Sequence, residues 1–266
     1  MLRGDSSPVG AGITCTMTQE PLGVVAGITP FNFPAMVPLW MIPLAITVGN
    51  CFILKPSEQT PLSTFKIAEY LKEAGLPDGV FNIVNGAREV VEGICDHPDI
   101  KAVAFVGSSQ VAKIVYSRST ANGKRALCFG GAKNHMIVVP DADQDSTAKG
   151  LLASSMGSAG QRCMAASVAV AVADVDPIID QLVEEARNYK PGVDMGTIVS
   201  KVALERITGY IDEAEKMGAT ILIDGRNVTP PEGYEHGYWL GVTILDGVDP
   251  NWPSATDEIF GPVLSI

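Results

Sequence analysis

The segment Ser158-Ala159-Gly160-Gln161-Arg162-Cys163 places a thiol in a glycine-containing loop that follows a helical stretch. A cysteine acts as a nucleophile when its pKa is lowered, when substrate can reach it, and when donors face the oxyanion formed on attack. Small residues before Arg162 allow close approach, and Arg162 supplies positive charge. A glycine three residues before a cysteine is more often structural, so this segment alone leaves both interpretations open. The remaining cysteines are expected to be small buried hydrophobic residues: Cys15, Cys51, Cys95 and Cys128.

The segment Thr29-Pro30-Phe31-Asn32-Phe33-Pro34 offers a second group for the same chemistry. It follows a short apolar run and enters a helix. Asn32 is therefore expected at the carboxyl end of a strand, where open α/β sheets bind ligands. Its side-chain amide could donate to an oxyanion. Alternatively, Asn32 caps the helix that begins near Pro34, and the sequence favours neither interpretation.

Two further strand ends carry polar residues suited to a nucleotide. Lys55 and Glu58 could bind ribose hydroxyls, although exposed charges after a strand are usually only solvated. Gly107 and Ser108 precede a helix whose N-terminal amides could hold a phosphate. A GxGxxG fingerprint does not occur, so the standard dinucleotide-binding motif is absent.

Short β-rich runs alternate with helical stretches from about Leu22 to Cys128, which predicts a mostly parallel, doubly wound α/β sheet. Thr60-Pro61 predicts an N-cap followed by a first helical turn, and Gly75 predicts the end of that helix. The predicted strands are Val24–Ile28, Cys51–Lys55, Phe81–Val84 and Ala102–Val106.

A second α/β pattern begins after Gly130-Gly131, with strands predicted at His135–Val139 and Ser167–Ala173. We therefore predict one domain over residues 1–130 and another over 131–266. A strand-like run reaches the last residue, and residues 1–4 show no evident first element. Both domains are accordingly expected to be truncated.

Composition and charge exclude several classes of partner. Lysine and arginine number 19 against 30 acidic residues, for a net charge of −11. Nucleic acid and anionic membrane surfaces would be repelled. The longest apolar run is too short to cross a bilayer, and the first residues do not resemble a signal peptide, so a cytoplasmic location is expected. Five cysteines without a CxxC pair and three scattered histidines predict no metal site.

Five motifs occur together from about Pro21 onwards, and together they resemble the aldehyde dehydrogenase superfamily. The motifs are Pro-Phe-Asn-Phe-Pro at 30–34, Lys-Pro-Ser-Glu at 55–58, Phe-x-Gly-Ser at 105–108, Gly-Gln-x-Cys at 160–163 and Glu-Ile-Phe-Gly-Pro at 258–262. The resemblance implies a Rossmann-like NAD-binding domain and a catalytic domain in which Cys163 attacks an aldehyde. It also implies that Asn32 and the backbone amide of Cys163 form the oxyanion hole. The implied NAD-binding residues are Phe31, Lys55, Glu58, Gly107, Ser108, Glu258 and Phe260.

The sequence departs from the family where hydrolytic members carry the glutamate that activates water. That segment reads Phe129-Gly130-Gly131-Ala132-Lys133 here, and Phe129 cannot accept a proton. A thiol needs less help than water to attack a thioester, so coenzyme A is the expected acyl acceptor.

Residues 95–101, 131–135 and 160–165 resemble the coenzyme A-acylating branch that oxidises methylmalonate semialdehyde. Arg162 would then orient the substrate carboxylate by paired hydrogen bonds, or else serve as a structural ion-pair partner. The resemblance further implies a full-length homo-oligomer, dimer or tetramer, in the cytoplasm or, in a eukaryote, the mitochondrial matrix. Two alternatives remain: a hydrolytic or acylating dehydrogenase for another short aldehyde, and a non-catalytic NAD-binding fragment.

Overall fold

The computed structural model describes residues 3–266, which divide into two compact units between Gly130 and Gly131. The first unit opens with an exposed antiparallel hairpin, β1 (Asp5–Gly10) and β2 (Ile13–Met17). Sequence analysis missed this hairpin because β1 shows no apolar alternation, and the alternation in β2 covers only five residues, all of which are exposed.

A five-stranded parallel sheet forms the body of the first unit, as predicted. Its strand order is β5-β4-β3-β6-β7, so the chain starts in the middle of the sheet and winds towards both edges. The strands are β3 (Val24–Ile28), β4 (Cys51–Lys55), β5 (Phe81–Ile83), β6 (Ile100–Val106) and β7 (Arg125–Phe129). The helices are α1 (Met36–Thr47), α2 (Leu62–Glu73), α3 (Arg88–Asp96) and α4 (Ser109–Ala121).

Buried apolar side chains on both faces hold this sheet in place. Val25 and Phe52 pack with α1 on one side, and Ile28 and Val103 pack with α3 and α4 on the other. Parallel strands covered on both faces are expected to be almost continuously apolar, as β3 is. The predicted cap of α2 is wrong: Pro61 occupies the N-cap position, and the Thr60 hydroxyl donates instead to the carbonyl of Phe31 at 3.2 Å.

The second unit is also an α/β sheet, with strand order β10-β11-β12-β9-β8. All of its strand pairs are parallel except β10 with β11. The strands are β8 (Asn134–Val138), β9 (Ala166–Ala171), β10 (Thr220–Ile223), β11 (Thr243–Asp246) and β12 (Val263–Ser265). The helices are α5 (Gln144–Met156), α6 (Asp176–Arg187), α7 (Lys201–Met217) and α8 (Pro253–Thr256).

The core of the second unit is one continuous apolar cluster that includes Leu151, Leu182, Ile207 and Ile244. It joins α5, α6 and α7 to the sheet, so the loops that precede β8, β9 and β12 rest on a rigid base. Within residues 3–266, no helix combines the length and the apolar composition needed to cross a bilayer.

Candidate active site

Three strands of the first unit end in polar residues at the carboxyl edge of the sheet. Ile28 lies opposite both Lys55 and Phe105 in register, so the segments that follow β3, β4 and β6 leave the sheet side by side. The winding direction reverses between β3 and β6, and open α/β sheets bind ligands at such a switch point. Asn32 follows β3. Ala35, not Asn32, occupies the N-cap of α1, and no side chain caps that helix.

Lys55 is buried, with 4% of its surface exposed, although it ends a strand that faces solvent at its tip. Its ammonium donates to Glu58 Oε2 at 3.1 Å and to the carbonyl of Gly86 at 2.8 Å. Partial burial alone would raise the pKa of Glu58, but a backbone hydrogen bond and the Lys55 ammonium bring that pKa below its usual value. The Glu58 carboxyl group is therefore ionised at neutral pH.

Gly107 and Ser108 form the entrance to α4. A Cβ on Gly107 would lie 2.6 Å from the ring of Phe105, so only glycine fits there. Ser108 occupies the N-cap position of α4, with φ −65° and ψ 148°. Its side-chain hydroxyl makes no hydrogen bond to the first amides of the helix. The first amides of this 13-residue helix and an exposed hydroxyl thus face outward, an arrangement that binds phosphate oxygens.

In the second unit the predicted nucleophile lies at the amino edge of the sheet, just before β9. Cys163 is half-buried and carries a free thiol. A left-handed turn precedes it, with φ values of 55° at Ser158, 52° at Ala159 and 68° at Gly160. A Cβ on Gly160 would lie 1.9 Å from the carbonyl oxygen of Gly261, so the turn packs directly on the backbone that leads into β12.

Arg162 reaches back to the C-terminal end of α5. Its Nη2 atom donates to the carbonyls of Ala153 and Ser154 at 2.8 and 2.7 Å, where a cation is favoured by the helix dipole. Its Nε atom is buried and has no hydrogen-bond partner among the described residues. The guanidinium is thus anchored by one nitrogen and keeps further donors.

Glu258 and Phe260 lie on the loop before β12, on the same side of the second unit as Arg162. Glu258 Oε1 accepts a hydrogen bond from the amide of Ala132 at 3.3 Å. The Glu258 carboxylate also packs against Gly131, so a side chain at position 131 would displace the carboxylate from where it lies. Arg162, Glu258 and Phe260 line one small, open cavity.

Two carboxamides that sequence analysis did not single out hold the loop around Cys163. Asn134, the first residue of β8, donates to the carbonyl of Cys163 at 2.8 Å. Gln161 is buried and donates to the carbonyl of Thr197 at 3.0 Å. A signal was present in the sequence, since Gln161 belongs to the Gly-Gln-x-Cys motif and Asn134 directly follows the Gly-Gly-Ala-Lys segment.

Lys133 is a further residue that sequence analysis passed over. Its Nζ atom is buried and donates to no hydrogen-bond partner among the described residues. Burial lowers the pKa of Lys133 to about 8, against the opposing attraction of Asp257 and Glu258. The ammonium therefore lies close to losing its proton at physiological pH.

The buried Lys133 predicts a specific pH dependence of stability. Between pH 8 and the usual lysine pKa near 10.5, the unfolded chain holds the proton and the folded chain has lost it, so the free energy of unfolding rises with pH. Lys133→Met should remove this rise. The variant should be more stable than the parent at pH 7, by about 1–3 kcal/mol, with a difference that shrinks towards pH 10.5.

Urea unfolding of both proteins from pH 7 to pH 10.5 measures that difference. Lys201→Met is the control, since that side chain is 74% exposed and should show no such trend. A pH-independent difference between Lys133→Met and the parent would contradict the prediction.

The described residues contain no group of three or more histidine, cysteine, aspartate or glutamate side chains that could hold a metal ion.

Comparison with known proteins shows similarity over the whole chain. The model of the aldehyde dehydrogenase family matches residues 1–266. The methylmalonate-semialdehyde/malonate-semialdehyde dehydrogenase [acylating] of Rattus norvegicus mitochondria is 48% identical over 92% of this chain and 47% of its own length. The chain spans about half the length of the curated relatives it matches.

Two solved structures show the same fold. The methylmalonate-semialdehyde dehydrogenase of Oceanimonas doudoroffii is 49% identical, with a TM-score of 0.95 over 99% of this chain and 56% of that one. An aldehyde dehydrogenase of Bacillus cereus, solved as a complex with NAD+, is 33% identical, with a TM-score of 0.92 over 100% of this chain and 55% of that one.

Proposed function

This chain belongs to the aldehyde dehydrogenase family, and we propose that it is the central part of an NAD-dependent, coenzyme A-acylating semialdehyde dehydrogenase. The complete enzyme would oxidise methylmalonate semialdehyde and malonate semialdehyde to propionyl-coenzyme A and acetyl-coenzyme A, with loss of carbon dioxide or bicarbonate. The observation that carries the proposal is the half-buried thiol of Cys163, which directly follows an arginine that lines an open cavity. The acylating relative supports the choice of substrate and acceptor.

We assign NAD binding to the first unit and to the loop before β12. The amides at the start of α4 and the Ser108 hydroxyl suit the pyrophosphate, because Gly107 leaves the backbone uncovered. Lys55 uses two hydrogen bonds within the chain, which leaves one N–H for a ribose hydroxyl beside Glu58. The family resemblance assigns Glu258 and Phe260 to the nicotinamide ribose and ring, and it assigns Phe31 to NAD binding. Bound NAD would supply the hydride acceptor.

We assign the covalent chemistry to Cys163. Its thiolate adds to the aldehyde carbon and forms a carbon–sulfur bond, and the carbonyl electron pair moves onto oxygen. The Asn32 amide and the backbone N–H of Cys163 stabilise that oxyanion. Loss of the hydride then leaves an acyl thioester on Cys163. The thiolate of coenzyme A attacks this thioester, and the Cys163 thiolate leaves.

Arg162 is assigned to the carboxylate of the semialdehyde. Its Nη2 atom is already held by two carbonyls of α5, which fixes the direction of the guanidinium before substrate arrives. The remaining donors, including the unpartnered Nε, belong to a side chain that lines the cavity. The structural alternative of an ion pair is not supported, since the hydrogen-bond partners observed for Arg162 are backbone carbonyls.

The complete enzyme is proposed to be a homo-oligomer in the cytoplasm or, in a eukaryote, the mitochondrial matrix. The mitochondrial location of the rat relative supports the second compartment for eukaryotic members. An uncharged short aldehyde is a poorer choice of substrate because it offers nothing to Arg162.

Product analysis tests the proposed function. The complete enzyme, given NAD, coenzyme A and methylmalonate semialdehyde, should release NADH and propionyl-coenzyme A in equal amounts. Propanal is the matched control because it differs only in having a hydrogen in place of the carboxylate, and it should be turned over much more slowly at equal concentration. Free acid as the product at an unchanged rate without coenzyme A would overturn the acylating assignment.

A further inference from the structure

Asn134, the first residue of β8, bonds to the backbone of the predicted nucleophile and to that of the residue two positions after it. Its Nδ2 atom lies 2.8 Å from the carbonyl oxygen of Cys163 and 2.9 Å from that of Ala165. A carboxamide nitrogen has two hydrogens, so both are used on this one loop. The backbone carbonyl of Asn134 in turn accepts a hydrogen bond from the hydroxyl of Ser167 at 3.2 Å.

Gln161 holds the loop from the other side of Cys163. Its amide nitrogen donates to the carbonyl of Thr197 at 3.0 Å, and its amide oxygen accepts from the backbone N–H of Val199 at 2.9 Å. Gln161 is 6% exposed, so these bonds are shielded from water. The backbone of Cys163 therefore lies between two carboxamides that are anchored in different segments.

The loop needs such external bonds because its own backbone is strained. Ser158 and Ala159 both adopt left-handed φ values, which are unfavourable for residues other than glycine. A strained segment persists only where its surroundings hold it. Without the two bonds from Asn134, the stretch from Cys163 to Ala165 would lose its attachment to β8.

The orientation of the Cys163 carbonyl also determines the direction of the next backbone N–H and restricts that of the Cys163 side chain. A peptide unit is planar and trans, so the N–H of Met164 points away from the oxygen that Asn134 holds. The same constraint limits rotation about the backbone of Cys163 and hence the direction of its side chain. A displacement of a reacting group by about 1 Å can lower a rate by about 100-fold.

We propose that Asn134 is a positioning residue for Cys163: it acts through the backbone of the loop and sets the direction of the thiol during attack on the aldehyde. This inference rests on the proposed function of Cys163 as the nucleophile. If the inference is correct, loss of the Asn134 amide lowers the rate at which each correctly folded site forms the acyl-enzyme. This effect is distinct from any fall in the number of folded sites.

Two substitutions test the proposal. Asn134→Ala removes both donors, and Asn134→Asp keeps the shape but faces two carbonyl oxygens with a carboxylate. Asn188→Asp is the matched control, because the amide of Asn188 also donates to a backbone carbonyl, that of Glu184, but on the exposed surface of α6. The complete enzyme is used, with folded sites counted by titration of the Cys163 thiol.

The first NADH burst at saturating aldehyde and NAD should be slower by about 10-fold in Asn134→Ala and by about 100-fold in Asn134→Asp. The dissociation constant for NAD should stay within threefold, and Asn188→Asp should match the parent. A merely structural role would lower the melting temperature and the number of folded sites but leave the burst rate per site unchanged, and that result would overturn the proposal.

The rate at which iodoacetamide alkylates Cys163, measured by mass spectrometry, tests the orientation of the thiol without any catalytic turnover. We expect the rate constant to change at least threefold in Asn134→Ala and to match the parent in Asn188→Asp. A parent enzyme without any NADH burst would refute the proposed function instead, and an unchanged alkylation rate in Asn134→Ala would still overturn the role of Asn134.

Discussion

Cys163→Ala should abolish aldehyde oxidation by the complete enzyme, with a fall in kcat of at least about 10⁴-fold. Removal of a covalent nucleophile leaves only binding and oxyanion stabilisation, and such losses reach about 10⁶-fold in other enzymes. NAD affinity should remain within a few-fold of the parent, because the lysine and helix amides assigned to the dinucleotide belong to the first unit. Steady-state NADH formation and NAD titration measure the two effects.

Cys128→Ala is the matched control for the loss of a thiol. Burial, with a smaller effect from Cys95, raises the pKa of Cys128, so its thiol stays protonated at neutral pH and is a poor nucleophile. We expect this variant to keep its activity. Turnover of Cys163→Ala near the parent level would refute the assignment of the nucleophile.

Phe129→Glu should convert an enzyme that stalls without coenzyme A into one that hydrolyses its own acyl intermediate. The parent, given NAD and methylmalonate semialdehyde alone, should release one NADH for each site in a burst and then slow almost to a stop. A general base contributes about 10²–10⁴-fold to such a step, so the slow phase should accelerate by at least about 10-fold in the variant. Stopped-flow absorbance of NADH and analysis for free acid follow both phases.

Leu127→Glu is the control that shows whether the effect of Phe129→Glu comes from the position of the new carboxylate or only from its charge. Leu127 and Phe129 lie two residues apart in β7, so their side chains share a face, and they are 58% and 53% exposed. The control adds the same charge to the same strand and should leave the slow phase unchanged. A parent without a burst, whose rate is equal with and without coenzyme A, would show that water is the acceptor and that its base lies elsewhere.

Sequence reasoning predicted the parallel sheet of the first unit because its strands are short, β-branched and separated by helical spacing. Val24–Ile28 and Cys51–Lys55 were predicted to the residue. The strand Arg125–Phe129 was missed because four of its five residues are apolar, so the sequence does not show which of them are exposed. Periodicity marks buried strands more clearly than edge strands.

The candidate site was predicted less completely than the fold. Single motifs named Cys163 and Glu258, but the bonds of Asn134 span 29 and 31 residues of sequence, and no local pattern reports such pairs. The contact between Gly160 and Gly261 is likewise visible only when the strands are assembled. The same limit applies to Lys133, whose charged neighbours Asp257 and Glu258 follow α8.

The bond from Lys55 to the carbonyl of Gly86 bears on the thermodynamics of ligand association. It connects the end of β4 to the segment between β5 and α3 within the chain itself. That segment is therefore ordered when the first unit folds, and a ligand that arrives beside Lys55 does not have to order it. Preorganisation of this kind reduces the conformational entropy lost on binding, so the favourable enthalpy of each new hydrogen bond is retained as affinity.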